Sequence, residues 1–344
     1  MDKPIKSYSL DGLSDVMELL GQPSFRAKQL AQWLYVHHVN SYENMTNLPV
    51  SLRESLSERF PLHPATLAER RISHDGTRKY IVEFHDGACV EAVAIPSKID
   101  NRLTICFSTQ VGCSMQCAFC ATGKAGFERN LLPGEIVDQV MLAQEDMGQR
   151  VTNLVGMGQG EPFLNYENVL SALRILNYSK GIAIGARHIS ISTCGLLDGI
   201  ERFSHEPEQF TLAVSLHAAR QATRDLLMPR MATNQLPDLQ RALRRYTQKT
   251  NRRVTLEYIM IQDVNDTEDD LEALQAFCSD LLCHINLIPI NVLEDSSFRP
   301  SEPRIMRRWI ESIQSCGKEI TVRNSRGADI EGACGQLKRT KCFT

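Results

Sequence analysis

The chain has no apolar run long enough for a signal peptide or a membrane span, little net charge, and no internal repeat or low-complexity tract. The first absence predicts a soluble, cytoplasmic protein with no membrane partner. A net charge of −3 gives no overall attraction for nucleic acid, so an RNA partner would have to be met by local positive potential. With no repeat to divide them, 344 residues suit one large catalytic domain with a small appendage, expected to be a monomer. Also missing is a fourth cysteine. The stretch CSMQCAFC, residues 113–120, places three cysteines at the spacing C-x-x-x-C-x-x-C, and no other follows nearby. The eleven cysteines are odd in number and scattered, which argues for metal or redox chemistry over a disulfide framework.

Residues 1–62 read as short helices, with Phe25, Leu30, Trp33 and Leu34 at roughly helical spacing and Leu52, Leu56 and Phe60 after them. This helical accessory domain is expected to contact RNA. Over residues 63–96 the period changes to two, and two Asp-Gly turns punctuate HDGTRKYIVEFHDGACVEAVAIP, a β-meander extension. Over 97–330 strand-like runs (RLTICFST, VTNLVGM, HISIST, FTLAVSL, RVTLEYIMI, HINLIPI, EITVR) alternate with helical ones. That alternation predicts an α/β fold with a parallel sheet, either a complete or partial barrel or an open doubly wound sheet. Polar or glycine-rich motifs follow the strand ends, as at the catalytic rim of a TIM-type (βα) barrel, and favour the barrel. Residues 331–344 form a C-terminal segment.

Thiolates at the spacing of Cys113, Cys117 and Cys120 can wrap zinc or an iron-sulfur cluster, and a 4Fe-4S cube normally takes four cysteines. Three leave one iron open for a substrate, which radical S-adenosylmethionine (SAM) enzymes use to chelate that cofactor. A structural zinc completed by a distant Cys or His, or three ordinary buried cysteines, are the alternatives. GMGQGEP (156–162) lets backbone approach a ligand at Gly160 and offers Glu161 as an acceptor for its ammonium group. Ser192, Ser215, Leu216, His217 and Asn291 stand at or just past strand ends, where ribose, adenine or carboxylate would be met. Taken singly, a turn residue is the better reading of each; together at one end of a barrel they favour a site.

CFSTQVGCSMQCAFCATG, GQGEP, SLHA, NLIPIN and GADIEGACGQL together resemble the radical SAM RNA adenine methyltransferases of the RlmN/Cfr family, as do FRAKQLAQWLY and MTNLP in the appendage. The resemblance implies a partial barrel of the radical SAM class, one 4Fe-4S cluster on Cys113, Cys117 and Cys120, and two SAM molecules per turnover. It implies that Cys334 is methylated first, that a radical drawn from its methyl group adds to the base, that Glu91 accepts the ring proton, and that Cys106 attacks the Cys334 sulfur to release methylated RNA. Pro162 in GEP inclines the expectation toward carbon 2 of an adenosine in 23S ribosomal RNA, with tRNA a second substrate and flavodoxin or ferredoxin the electron donor. Carbon 8 methylation is the close alternative. A non-catalytic iron-sulfur RNA-binding regulator is the alternative of another class.

For RNA, the run Arg241 to Arg253 holds Arg244, Arg245, Lys249 and Arg252 and no acid, although a solvated helix face explains it equally well. Arg26, Lys28, Arg70, Arg71, Arg78 and Lys79 are further candidates. Cys194 stands where the family would have serine and reads as a packing substitution. Cys89, Cys278, Cys283, Cys316 and Cys342 read as buried or incidental.

Overall fold

The computed structural model describes residues 3–293 and 296–338. The chain opens with α1 (Leu10–Leu19), α2 (Phe25–Tyr35) and α3 (Val50–Arg59). Their buried stripes are Leu13, Val16 and Met17, then Ala27, Leu30, Ala31 and Leu34, then Leu52 and Leu56. Ser9 caps α1 by accepting from the Gly12 N–H. Phe25 does not join this packing. It begins α2 at 51% exposure, because the inward stripe starts at Ala27. A buried ion pair, Lys6 Nζ to Asp138 Oδ1 at 2.7 Å, ties the helical segment to the barrel.

The meander is β1 (Thr66–Ile72), β2 (Arg78–Glu83) and β3 (Cys89–Pro96), antiparallel throughout. Gly76 and Gly87 of the Asp-Gly turns both adopt positive φ. The third strand pairs antiparallel with β4 (Leu103–Cys106), with Val93 opposite Cys106, so the meander extends the main sheet. Next come β5 (Gln110–Gly112), α4 (Ala121–Ala125) and β6 (Phe127–Asn130). Strands β5 and β6 form a hairpin that closes the base of the cysteine loop. The strand-length pattern of the sequence does not reveal it.

Strand and helix then alternate: α5 (Pro133–Met147), β7 (Asn153–Gly156), α6 (Tyr166–Asn177), β8 (Ile189–Thr193), α7 (Leu197–Phe203), β9 (Thr211–Ser215), α8 (Gln221–Leu227), α9 (Leu236–Thr250), β10 (Val254–Met260), α10 (Glu268–Cys278), β11 (Cys283–Pro289), α11 (Pro303–Ser315) and β12 (Glu319–Val322). The sheet runs β1-β2-β3-β4-β7-β8-β9-β10-β11-β12. From β4 onward neighbours are parallel, seven strands in all, one fewer than the eight of a closed barrel. Among the described residues β12 pairs with β11 alone. The barrel is therefore partial, and all seven strands end on one rim. No helix among the described residues is long and apolar enough to cross a membrane.

Candidate active site

Cys113, Cys117 and Cys120 lie on the loop between β5 and α4 and face one cavity at the rim. The loop is held from both sides. The Ala118 N–H donates to Leu227 O at the end of α8 (2.9 Å), and the Ala121 N–H to Gly335 O of the C-terminal segment (2.8 Å). Burial pushes the Cys113 thiol up to about 12 and raises that of Cys120 as well, so both keep their protons at neutral pH until a metal's charge favours the thiolates.

Among the described residues, one group of three or more His, Cys, Asp or Glu side chains has all its donor atoms within 4.8 Å of one another, and it is His85, Asp86 and Glu135. Arg129 already bonds both of those carboxylates. The three thiols are spread more widely. A single zinc ion, with Zn–S of about 2.3 Å, would draw them to roughly 4 Å or less from each other. Their spacing suits a polynuclear iron-sulfur group better.

Across the cavity from this loop lies the turn after β7. Gly160 has φ +100°, and a Cβ there would stand 2.6 Å from that of Gln110. Glu161 is 1% exposed; its Oε1 accepts from the Phe163 N–H (3.0 Å) and its Oε2 from the Cys194 N–H (2.7 Å). Burial raises its pKa, and these N–H bonds oppose the rise. The hydroxyls of Ser192 and Ser215, at the ends of β8 and β9, lie 3.4 Å apart on the same wall. His217 has φ +57°, and its Nδ1 accepts from the Ile259 N–H at 3.2 Å, which leaves the proton on Nε2. Burial, with Arg224 nearby, pushes its pKa down to about 3. Its ring stands edge-on to Phe119, centroids 4.7 Å apart.

Two residues of the predicted set lie off this wall. Leu216 is fully buried behind it, its carbonyl accepting from Arg224 Nε at 3.3 Å. Asn291 donates from Nδ2 to the carbonyl oxygen of Cys334 at 3.0 Å.

Cys334 lines the first cavity and also a second one that contains Cys106, and Met157, Ile288 and Arg323 are likewise common to both. Burial and the neighbouring Cys334 push the Cys106 thiol up to about 12, against the pull of Arg323. Arg323 Nη1 lies 3.0 Å from Met157 Sδ. Glu257, facing the first cavity from β10, accepts from Asn286 through Oε1 (3.3 Å), while its buried Oε2 has no hydrogen-bond partner among the described residues. Neither Arg323 nor Glu257 stood out in the sequence, although Arg323 begins the rim motif RNSRG.

Glu91 is not solvent-facing: it is 2% exposed. Two residues from Val93 on β3, it shares a sheet face with Cys106. Its Oε1 lies 3.1 Å from Lys79 Nζ, and its Oε2 accepts from the Lys338 N–H at 2.8 Å. It lines neither cavity.

Residues 107–276 match the model of the Radical SAM superfamily, and residues 5–62 that of the ribosomal RNA large subunit methyltransferase N-terminal domain. A "Probable dual-specificity RNA methyltransferase RlmN" of Clostridium novyi is 40% identical over 98% of this chain and 98% of its own length. A protein of the same description from Synechococcus elongatus is 43% identical over 98% and 94%. The chain belongs to the RlmN family of radical SAM RNA methyltransferases. The crystal structure of a radical SAM methyltransferase from Sphaerobacter thermophilus superposes with a TM-score of 0.92 at 40% identity, covering 98% of this chain and 100% of that one. Membership implies a 4Fe-4S cluster and SAM, and the wide-set, buried thiols beside Glu161 and the paired serines are a donor set that fits them.

The basic run looks different in space. Arg241 pairs with Asp238, Arg244 with Asp280, Arg245 with Glu201 and Arg253 with Glu319, so acids from elsewhere in the chain offset most of its charge. Arg70 and Arg78 share Asp146, Arg71 pairs with Glu69, and Lys79 is buried against Glu91. Arg26 bonds Gln29 and Asn47, while Lys28 and Lys249 are exposed. Cys194 lines the first cavity beside Cys117. Cys89, Cys278 and Cys283 are buried and Cys316 is exposed; Cys342 lies outside the described residues.

Proposed function

We propose that this protein methylates carbon 2 of an adenosine in 23S ribosomal RNA and in tRNA, through an S-methylated Cys334. The observation that carries the reading is the place of Cys334 on a wall shared by two cavities, one lined by Cys113, Cys117 and Cys120, the other by Cys106. Relatives described as dual-specificity RNA methyltransferases support the two RNA classes.

In this reading Cys113, Cys117 and Cys120 hold the cluster, Gly160, Glu161, Ser192, Ser215 and His217 line the SAM site beside it, Leu216 packs behind that wall, and Asn291 borders the site by holding the Cys334 backbone. The bound cluster and SAM, two molecules per turnover, supply the methyl group and the hydrogen-abstracting radical. Cys334 takes the methyl group on its sulfur, its thiolate replacing the sulfonium leaving group. Once the resulting methylene carbon is bonded to the base, the odd-electron adduct must give up one electron, for which the iron-sulfur group would be the acceptor, and Glu91 accepts the ring proton. This requires its carboxylate to exchange the Lys338 N–H for the substrate, so the C-terminal segment shifts when RNA binds. The Cys106 thiolate then attacks the Cys334 sulfur. An S–S bond forms, the C–S bond to the base breaks with its electron pair passing to the methylene carbon, and a proton there completes the methyl group. Arg323, beside both thiols, stabilises the thiolate forms that methyl transfer and disulfide formation need. A flavodoxin or ferredoxin supplies electrons, and the enzyme works as a cytoplasmic monomer.

Mass spectrometry of nucleosides from 23S ribosomal RNA and tRNA, in cells with and without the gene, tests the proposal. Loss of 2-methyladenosine from both RNAs is expected. Loss of 8-methyladenosine instead would replace carbon 2 by carbon 8.

A further inference from the structure

Arg224, in α8, is 0% exposed. Its Nε donates to Leu216 O (3.3 Å) and its Nη2 to Cys194 O (2.7 Å), while the buried Nη1 has no hydrogen-bond partner among the described residues. A guanidinium in the interior that lacks a full set of partners is costly unless negative charge stands near it.

The groups that supply such charge are few. Asp225, adjacent in the chain, is half-exposed and accepts from Gln221 Nε2 at 2.7 Å. The sulfurs of Cys194 and Cys117 also lie near the guanidinium, and Cys117 becomes a negative thiolate once it holds a cluster iron. His217, on the neighbouring strand end, stays neutral. The helix that carries Arg224 is tied to the cysteine loop, since Leu227 O receives the Ala118 N–H next to Cys117. The guanidinium is thus fixed near Cys117, on carbonyl groups that hold its position and do not cancel its charge.

We propose that Arg224 is the buried cation that sets how readily the iron-sulfur group on Cys113, Cys117 and Cys120 accepts an electron. The inference rests on the assignment of those three cysteines as cluster ligands. One-electron reduction adds one negative charge to the cluster, and a fixed positive charge near a ligand sulfur stabilises the reduced form more than the oxidised one. The electron comes from the external donor, and no bond to Arg224 forms or breaks.

The test is a potentiometric titration of the anaerobically reconstituted full-length protein, with the reduced cluster read by electron paramagnetic resonance. Arg224→Gln keeps donors for the two carbonyls and removes the charge. Its midpoint should fall by at least a tenfold change in the reduction equilibrium, about 59 mV for one electron. Arg224→Lys should stay near the wild-type midpoint, and Asp225→Asn, which removes the opposing charge, should raise it. A loaded Arg224→Gln protein with an unchanged midpoint overturns the inference. Should that variant fail to load, a wild-type midpoint in Asp225→Asn overturns it instead. The assignment beneath it fails separately, if a variant lacking all three cysteines still loads the cluster.

Discussion

Asn291 donates from Nδ2 to the carbonyl oxygen of Cys334 across 3.0 Å, joining the exit of β11 to the C-terminal segment. With the Ala121 N–H bonded to Gly335 O, it fixes the segment at the mouth of both cavities. Removing it should therefore act on the methyl acceptor. Asn291→Ala is expected to keep its cluster and most of its SAM affinity, and to slow single-turnover methylation of Cys334 about fivefold, the worth of ~1 kcal/mol for one hydrogen bond. A large loss of SAM affinity with normal Cys334 methylation would place its role on the cofactor instead.

The side chains of Lys79 and Glu91 are 2% and 3% exposed, so their ion pair is buried. Breaking it from one side leaves a charge in the interior. Lys79→Met should lower unfolding free energy by about 3–5 kcal/mol, and Lys79→Met with Glu91→Gln should recover much of that. Urea denaturation of the two variants measures both. Equal stability of the single and double variants would show that Glu91 has enough other partners to do without Lys79.

How far the sequence reaches is visible in these pairs. The alternation of strands and helices, the meander and the thiol triplet are local patterns, and the sequence carries them. Cys106, Glu91 and Cys334 were reached through family resemblance, since no local pattern marks a cysteine 228 positions from its proposed partner. The burial of Lys79 depends on sheet register, and the neutralised basic run depends on acids such as Glu319, 66 residues from Arg253. Arg224 reads as one more charged residue of a short helix until tertiary packing encloses it. The β5–β6 hairpin escapes the strand pattern because each strand has at most four residues.

His217 gives a pH dependence of definite sign. Its folded pKa is about 3, below the ordinary value of about 6.5 for the unfolded chain. Its contribution to stability is thus complete above pH ~6.5 and is lost as pH falls toward 3, because the unfolded chain takes up a proton that the native imidazole refuses. Between pH 6.5 and 4.5, urea midpoints of the cluster-free protein should fall more steeply for wild type than for His217→Gln. Parallel profiles would mean that His217 reaches water and titrates normally.

The central claim is that Cys334 carries the methylene bridge and Cys106 resolves it, and one gel experiment tests it most directly. Reconstituted Cys106→Ala protein, given SAM, reductant and RNA, should methylate Cys334, attack the base and stall. The trapped complex should appear on a denaturing gel as an RNA band whose shift disappears with protease. Cys334→Ala should give neither the shifted band nor methylated RNA. Normal turnover by Cys106→Ala, or methylated RNA from Cys334→Ala, would contradict the account.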